Sequence, residues 1–254
     1  MKHGFIRSMN TGLAVLSLGF LLSALPASAA EDSEKVQPVL ENSAIRFGKR
    51  TLELPPDGLF VFKDANGKIL FKNSVSFWLN ENGKTQWLWQ KRNPDREKSK
   101  FTRDGNKYTW ELWFKDQNTP SFQAITQVLE VLPDGRISNT VKLTLPEPTE
   151  TRQFQFWIYA LQLPEASWLQ ETVDFNGKKQ TLTKDLKNTQ SKFRQAVEWT
   201  FGADNPEKKF TVRIEPSGTP QLAIMFRPIF KEFLLCFQRY KKNELVNQVY
   251  FDLR

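Results

Sequence analysis

The chain has 254 residues, a formal charge of +8, 39% hydrophobic and 13% aromatic residues, one cysteine and one histidine. It is too apolar and too aromatic for a disordered chain, and a single cysteine excludes an internal disulfide framework. The length suits one large all-β domain.

Residues 1–29 read as a secretory signal peptide. Lys2 and Arg7 make a positive start, 11–25 is apolar and uncharged, Pro26 breaks the run, and Ala27-Ser28-Ala29 fits the small-residue cleavage pattern. Cleavage after Ala29 removes His3, the chain's one histidine. An exported chain without imidazole cannot use Ser-His-Asp or Cys-His catalysis, a histidine general base, or the usual zinc and copper ligand sets. It also lacks a pH switch near neutrality. No cysteine near the cut offers a lipoprotein anchor, so the expected location is secreted or periplasmic. No apolar stretch of spanning length follows residue 30, and no membrane-spanning segment is expected after cleavage.

Residues 30–254 read as a single domain, with 30–44 a loose polar lead-in. Nine glycines lie in this part, and six directly follow Asn or Asp, at 58, 67, 83, 105, 135 and 177. Such pairs accept positive φ cheaply, as tight hairpin turns require. Strands are predicted between them. Segments 58–62 and 68–71 flank Asn66-Gly67, and 75–79 and 85–91 flank Asn82-Gly83. Further strands are expected at 98–103, 106–114, 122–132, 136–145, 153–163, 172–175, 178–183, 193–201, 209–215 and 221–226. Pro146-Glu147-Pro148 reads as a long connection, and 184–190 as a short helix or loop. Residues 228–240 fit a helix (Phe230, Phe233, Leu234 and Phe237 are helically spaced) or, equally, a terminal strand pair over 233–238 and 245–252.

Alternation is clear in places. Tyr108, Trp110, Leu112 and Phe114 make one apolar face, with Thr109, Glu111 and Trp113 opposite. Trp87 and Trp89 share a face, with Gln86 and Gln90 on the other. Segments 124–132 and 154–163 are apolar on both faces, which implies sheets packed on sheets. The expected fold is all-β, a large antiparallel β-sandwich built from hairpins in a meander with little helix.

Three residue sets could carry chemistry. Tryptophans are dense between 78 and 168, and an indole face can stack on the C–H face of a sugar ring while amides and carboxylates bond its hydroxyls. Trp113, Trp157 and Tyr159 are the expected platforms, with Glu111, Gln127 and Gln155 as hydroxyl partners. Carboxylates are the second set. Glycoside hydrolysis needs only two, roughly 5–10 Å apart, and Glu111, Glu130, Glu171, Asp174 and Glu198 lie in or beside strands. Glu130 and Glu198 have apolar neighbours that would raise their pKa values if the two were buried. The third is the basic segment 91–103. No nucleic-acid fold signature accompanies it, so no nucleic-acid partner is expected. Asp64-Ala65-Asn66-Gly67 reads as a turn rather than a calcium loop, and Cys236 as a small buried hydrophobe. No catalytic residue, metal site or cofactor is assigned.

The run Tyr108-Thr109-Trp110-Glu111-Leu112-Trp113-Phe114, then 122–132, then Pro133-Asp134-Gly135-Arg136-Ile137 and on to Leu145, resembles the large β-sandwich domains of exported carbohydrate-active proteins. These are the galactose-mutarotase-like supersandwich domains. The resemblance covers about residues 50–165 and implies a sheet that carries sugar. Mutarotases of that fold work through histidine, which the exported chain lacks. The resemblance therefore implies a binding or accessory role rather than that catalysis.

Three functions fit these residues: a non-catalytic carbohydrate-binding or accessory protein with an oligo- or polysaccharide partner, a carboxylate-based glycoside hydrolase or polysaccharide lyase, and an envelope structural or adhesion protein. The leader makes a separate prediction. Mass spectrometry of the exported chain should show an N-terminus at Ala30; an exported chain that still carried His3 would contradict the cleavage site.

Overall fold

The Asx-Gly pairs set the punctuation of the fold. In the computed structural model, which describes residues 37–81, 83–90, 94–116, 119–144, 152–186, 198–214, 221–240 and 244–254, the glycines of all six pairs have positive φ. Only the backbone is described at 79, 81, 86, 116, 119–120, 144, 152–158, 221–223, 237–240 and 244–247. Aspartates pre-organise several turns by accepting backbone N–H groups. Asp64 Oδ1 takes those of Asn66 and Lys68, both at 2.9 Å, and Asp174 Oδ1 takes that of Gly177 at 2.7 Å.

The described strands are β1 (Val39–Leu40), β2 (Ala44–Phe47), β3 (Arg50–Glu53), β4 (Val61–Lys63), β5 (Ile69–Glu81), β6 (Lys84–Trp89), β7 (Lys100–Asp104), β8 (Lys107–Asp116), β9 (Thr119–Val131), β10 (Ile137–Thr144), β11 (Arg152–Pro164), β12 (Thr172–Phe175), β13 (Lys178–Thr181), β14 (Glu198–Phe201), β15 (Phe210–Ile214), β16 (Gln221–Arg227), β17 (Glu232–Tyr240) and β18 (Glu244–Asp252). One short helix, α1 (Glu165–Trp168), follows β11. The first sheet runs β1-β2-β3-β4-β5-β11-β17-β16, with β6 also on β5. The second runs β13-β12-β14-β15-β18-β10-β9-β8-β7. Every described pairing is antiparallel, and the fold is the expected β-sandwich. Residues 35–254 form one compact unit.

The strands expected at 68–71 and 75–79 are one continuous strand, β5. Lys72-Asn73-Ser74 between them stays extended: Asn73 is buried and its N–H donates to Phe60 O at 3.2 Å. Along one edge β5 holds β4 and then β6; along the other it holds β11. Residues 228–240 are not a helix. A 3-10 turn, Pro228–Phe230, leads into β17. The two segments of the expected terminal strand pair do not pair with each other. β17 joins β11 and β16 in the first sheet, whereas β18 lies between β10 and β15 in the second. The lead-in is partly ordered, because Val39–Leu40 pairs with β2. The leader, the 146–148 connection, residues 187–190 and residues 193–197 lie outside the described residues.

The sheets close through a shared aromatic layer. Phe60, Phe62 and Phe71 of the first sheet meet Phe210 and Phe251 of the second, with ring centroids 4.9 Å apart for Phe71–Phe210, 5.6 Å for Phe71–Phe251 and 6.0 Å for Phe60–Phe251. Trp168 of α1 closes one end, 5.6 Å from Phe210, and its Nε1–H donates to Leu70 O at 2.6 Å. Burying each such ring stabilises the fold by about 2–3 kcal/mol. Tyr108, Trp110, Leu112 and Phe114 are all fully buried, as their alternation predicts.

A line of buried polar groups interrupts this apolar layer. Inward residues along β5 are Phe71, Asn73, Val75 and Phe77, and Asn73 is fully buried. Its Nδ2 donates to Gly58 O at 3.1 Å. Gln90 Nε2 donates to Asp57 O at 2.8 Å, and Gln90 Oε1 accepts the Val75 N–H at 3.1 Å. Across the interface, Gln127 Nε2 donates to Asn139 Oδ1 at 3.1 Å, and Asn139 Nδ2 donates to the Tyr159 hydroxyl at 3.0 Å. Gly58 lies between these groups. A Cβ there would sit 2.7 Å from Gln90 Nε2 and 3.4 Å from Gln127 Oε1, and φ is +71°.

The chain end is clamped by ion pairing. Arg254 Nε and Nη2 donate to Asp252 Oδ1 and Oδ2 at 2.9 and 2.8 Å, and Nη1 donates to Asp134 O at 2.5 Å. Hydrogen bonding from Arg254, first of all, holds the Asp252 carboxyl below the usual aspartate range.

Two predictions follow from these contacts. Gly58→Ala should lower unfolding stability by roughly 2 kcal/mol in urea titrations, through positive-φ strain and the Gln90 clash. Because the folded Asp252 pKa is depressed, its contribution is present above the unfolded aspartate pKa, about 3.9, and is lost as pH falls through the folded value. Asp252→Asn should therefore flatten the acid limb of a stability–pH curve; an unchanged limb would show the clamp to be inert.

Candidate functional site

Of the six residues expected to meet a ligand, the four whose side chains are described do not converge. Tyr159 and Gln127 are fully buried in the interior, joined through Asn139. The reason is their register: both point from their strands into the space between the sheets. A sugar ring cannot reach either side chain while the sheets are closed. Burial also pushes the Tyr159 phenol far above its ordinary value. The side chains of Trp157 and Gln155 lie outside the described residues; the backbone register sets Trp157 opposite Phe77 and Arg239.

Trp113 and Glu111 lie together on the outer side of β8, half-buried, alternating with the buried Leu112 and Phe114. The Trp113 N–H donates to Ser99 Oγ at 3.0 Å, and its carbonyl accepts the Asp95 N–H at 2.7 Å. Lys98 Nζ stands 5.3 Å from the indole centroid, so an ammonium covers part of this ring.

A second indole group is better presented. The ladder between β5 and β6 sets Glu81 opposite Lys84, Trp78 opposite Trp87 and Ser76 opposite Trp89. Phe77 and Leu88, their alternating neighbours, are buried in the core, so Trp78, Trp87 and Trp89 share the outer face of the first sheet. Their rings form one cluster: Trp78–Trp87 centroids are 5.3 Å apart, and Trp87–Trp89 are 4.6 Å apart and near perpendicular. Trp87 is 44% exposed. Trp78 and Trp89 are half-buried and brace it, while Ser76, Asn80 and Thr85 supply neutral polar groups on the same face. Trp110, Trp168 and Trp199 are instead fully buried.

Glu111 and Glu130 are set far apart, whereas Asp174, opposite Thr200, and Glu198, two residues along β14, share a face of the second sheet. Glu111 pairs across to Thr126, four residues short of Glu130, a separation of about 13 Å at strand rise, beyond glycosidase spacing. Neither Glu130 nor Glu198 is buried. Glu130 faces Lys107 Nζ at 3.8 Å. Glu171 is ion-paired to Lys208, and Asp174 is occupied by its turn.

In the basic segment, Lys91 and Arg92 lie outside the described residues. Arg103 stands 5.4 Å from the Tyr108 ring and donates to Asn42 Oδ1 at 3.1 Å. Among the described residues, no group of three His, Cys, Asp or Glu side chains comes together as a metal site. Cys236 is buried, which pushes its thiol up to about 12.

No protein-family model matches the sequence, and no curated protein matches it. Solved structures do match. An α-mannosidase from Enterococcus faecalis V583 superposes with a TM-score of 0.50 at 6% identity, covering 85% of this chain. The chain spans 30% of that mannosidase's length. A GalM/aldose epimerase homologue from C. elegans gives a TM-score of 0.45 at 10% identity, over 85% of this chain and 98% of its own. A 4-α-glucanotransferase from Thermococcus litoralis gives 0.41 at 9% identity, over 84% of this chain and 37% of its own. At these identities the likeness concerns the fold alone, a sandwich of two large antiparallel sheets.

Proposed function

We propose that this chain is an exported, non-catalytic carbohydrate-binding protein, and that its sugar platform is the Trp78–Trp87–Trp89 cluster on the outer face of β5 and β6. The observation that carries the reading is Trp87, a 44%-exposed indole held by two other indoles. An unsupported surface tryptophan would lose rotamer freedom on binding, whereas this one is already ordered by its neighbours. Flanking Ser76, Asn80 and Thr85 offer hydroxyl and amide partners, with no pair of carboxylates beside them among the described side chains, which favours binding over hydrolysis. The carbohydrate-active proteins among the structural neighbours support the ligand class. Trp113 with Glu111 offers a weaker second surface, because Lys98 covers part of its ring.

Titration of the exported chain with a panel of neutral oligosaccharides, followed by tryptophan fluorescence and calorimetry, tests this. Trp87→Ala should weaken binding at least tenfold, about 1.4 kcal/mol, with unfolding stability changed by less than about 1 kcal/mol for so exposed a residue. Trp113→Ala should weaken it less. Absence of binding to every glycan at millimolar concentration would overturn the proposal, and release of reducing ends from a polysaccharide would replace it with the hydrolase reading.

A further inference from the structure

The tip joining β16 to β17 exposes two large apolar side chains in succession: Ile229 is 89% exposed and Phe230 is 51% exposed. Isolated exposed hydrophobes are ordinary, but this pair is held outward by a fixed backbone. Pro228 opens the 3-10 turn, and Lys231 closes it in the left-handed region with φ 50° and ψ 53°. That conformation is costly for a non-glycine residue and persists only where the surroundings impose it. Here the Lys231 N–H donates to Pro228 O at 3.2 Å, and Lys231 O accepts the Glu165 N–H of α1 at 2.9 Å. The turn is tied to the body of the first sheet, and its apolar side chains do not fold back onto it.

Cations frame the pair. The Arg227 guanidinium lies 4.5 Å from the Phe230 ring centroid, and Lys231 is exposed. The nearby acids are already matched: Glu232 is ion-paired with Arg227, and Glu165 with Lys184 Nζ at 2.6 Å. An apolar point flanked by the exposed Lys231, with the nearby acids already matched by Arg227 and Lys184, is complementary to one environment in particular. Aliphatic and aromatic groups enter the acyl boundary while Lys and Arg stay among anionic headgroups. Without Lys2 and Arg7 of the leader the chain's formal charge falls from +8 to +6, which still adds long-range attraction to such a surface.

We propose that the Ile229–Phe230 tip is a peripheral anchor for anionic phospholipid membranes, resting on the bilayer without spanning it. The fold makes this compatible with sugar binding. Pro164 pairs with Glu232 at the tip end, and Phe156 pairs with Trp78 at the other. Eight residues of strand separate the two positions, about 26 Å, so a docked tip leaves the tryptophan cluster away from the lipid.

The test uses the chain purified after export, its mass checked for loss of the leader, and sedimentation with vesicles of pure phosphatidylcholine or of 70:30 phosphatidylcholine:phosphatidylglycerol. The wild-type chain should partition at least tenfold more strongly onto the anionic vesicles. Ile229→Asp and Phe230→Asp should each lose at least tenfold, and 1 M salt should weaken binding. Both positions are exposed, and far-ultraviolet dichroism checks that the variants fold. As a second readout, an environment-sensitive fluorophore on Ile229→Cys should shift to the blue on anionic vesicles, whereas one on Thr102→Cys, on strand β7, should not; buried Cys236 stays unlabelled. Equal partitioning of wild type onto both vesicles, or variants that sediment like wild type, would overturn the anchor and leave the tip as a protein contact. Loss of sugar binding in Trp87→Ala bears on the other site alone, so the two proposals fail separately.

Discussion

The closure of two large sheets over one aromatic layer is the constraint on which the rest of this molecule depends. Phe71 touches Phe62 within its own sheet and Phe210 and Phe251 across the gap. Each sheet alone would leave this layer in water, so the two sheets stabilise one another or neither forms. The closed interior then dictates where function can reside. Any side chain that points inward is spent on packing, including Tyr159, Trp110 and Trp199. What is left for a ligand is the outer faces, the edges and the turns.

The buried amides add specificity to that closure. Apolar contact between sheets is tolerant of sliding, but a hydrogen bond from Gln127 to Asn139 and another from Asn139 to Tyr159 require particular partners at particular positions. A slipped register would strand these groups without partners, at a cost of about 1–3 kcal/mol for each buried orphan. Gly58 belongs to the same arrangement, because only a residue without Cβ lets Gln90 and Gln127 approach the backbone there.

The outer surface divides into regions of different chemistry. The far edge of the second sheet, β7, carries Lys100, Arg103 and Asp104 on an exposed strand, a charge pattern that discourages edge-to-edge pairing. The outer face of β5 and β6 carries indoles among neutral polar groups. The tip before β17 carries an apolar pair beside the exposed Lys231. Recognition is the chemistry that the side chains at these places suit.

Much of this was written in local sequence. Asx-Gly pairs specify tight turns because their φ preference is local, and the alternation through 108–114 specifies a buried face because pleating has period two. Even the Trp78–Trp87 pairing follows by counting back from Asn82-Gly83, a signal that favours the indole group over Trp113, Trp157 and Tyr159. Other features were decided only when distant segments met. Gln127 and Tyr159 look like ligand partners in sequence, yet they bond to one another through Asn139, which lies on a third strand. The helical spacing of Phe230, Phe233, Leu234 and Phe237 was overridden because β11 and β16 offered β17 ladders on both sides. The separation of β17 and β18 into different sheets follows from which strand edges stood open, and no short-range pattern encodes that. Local chemistry determined the turns and the faces. Tertiary packing decided which of those faces meet water, because exposure is a property of the closed pair of sheets and not of any one strand.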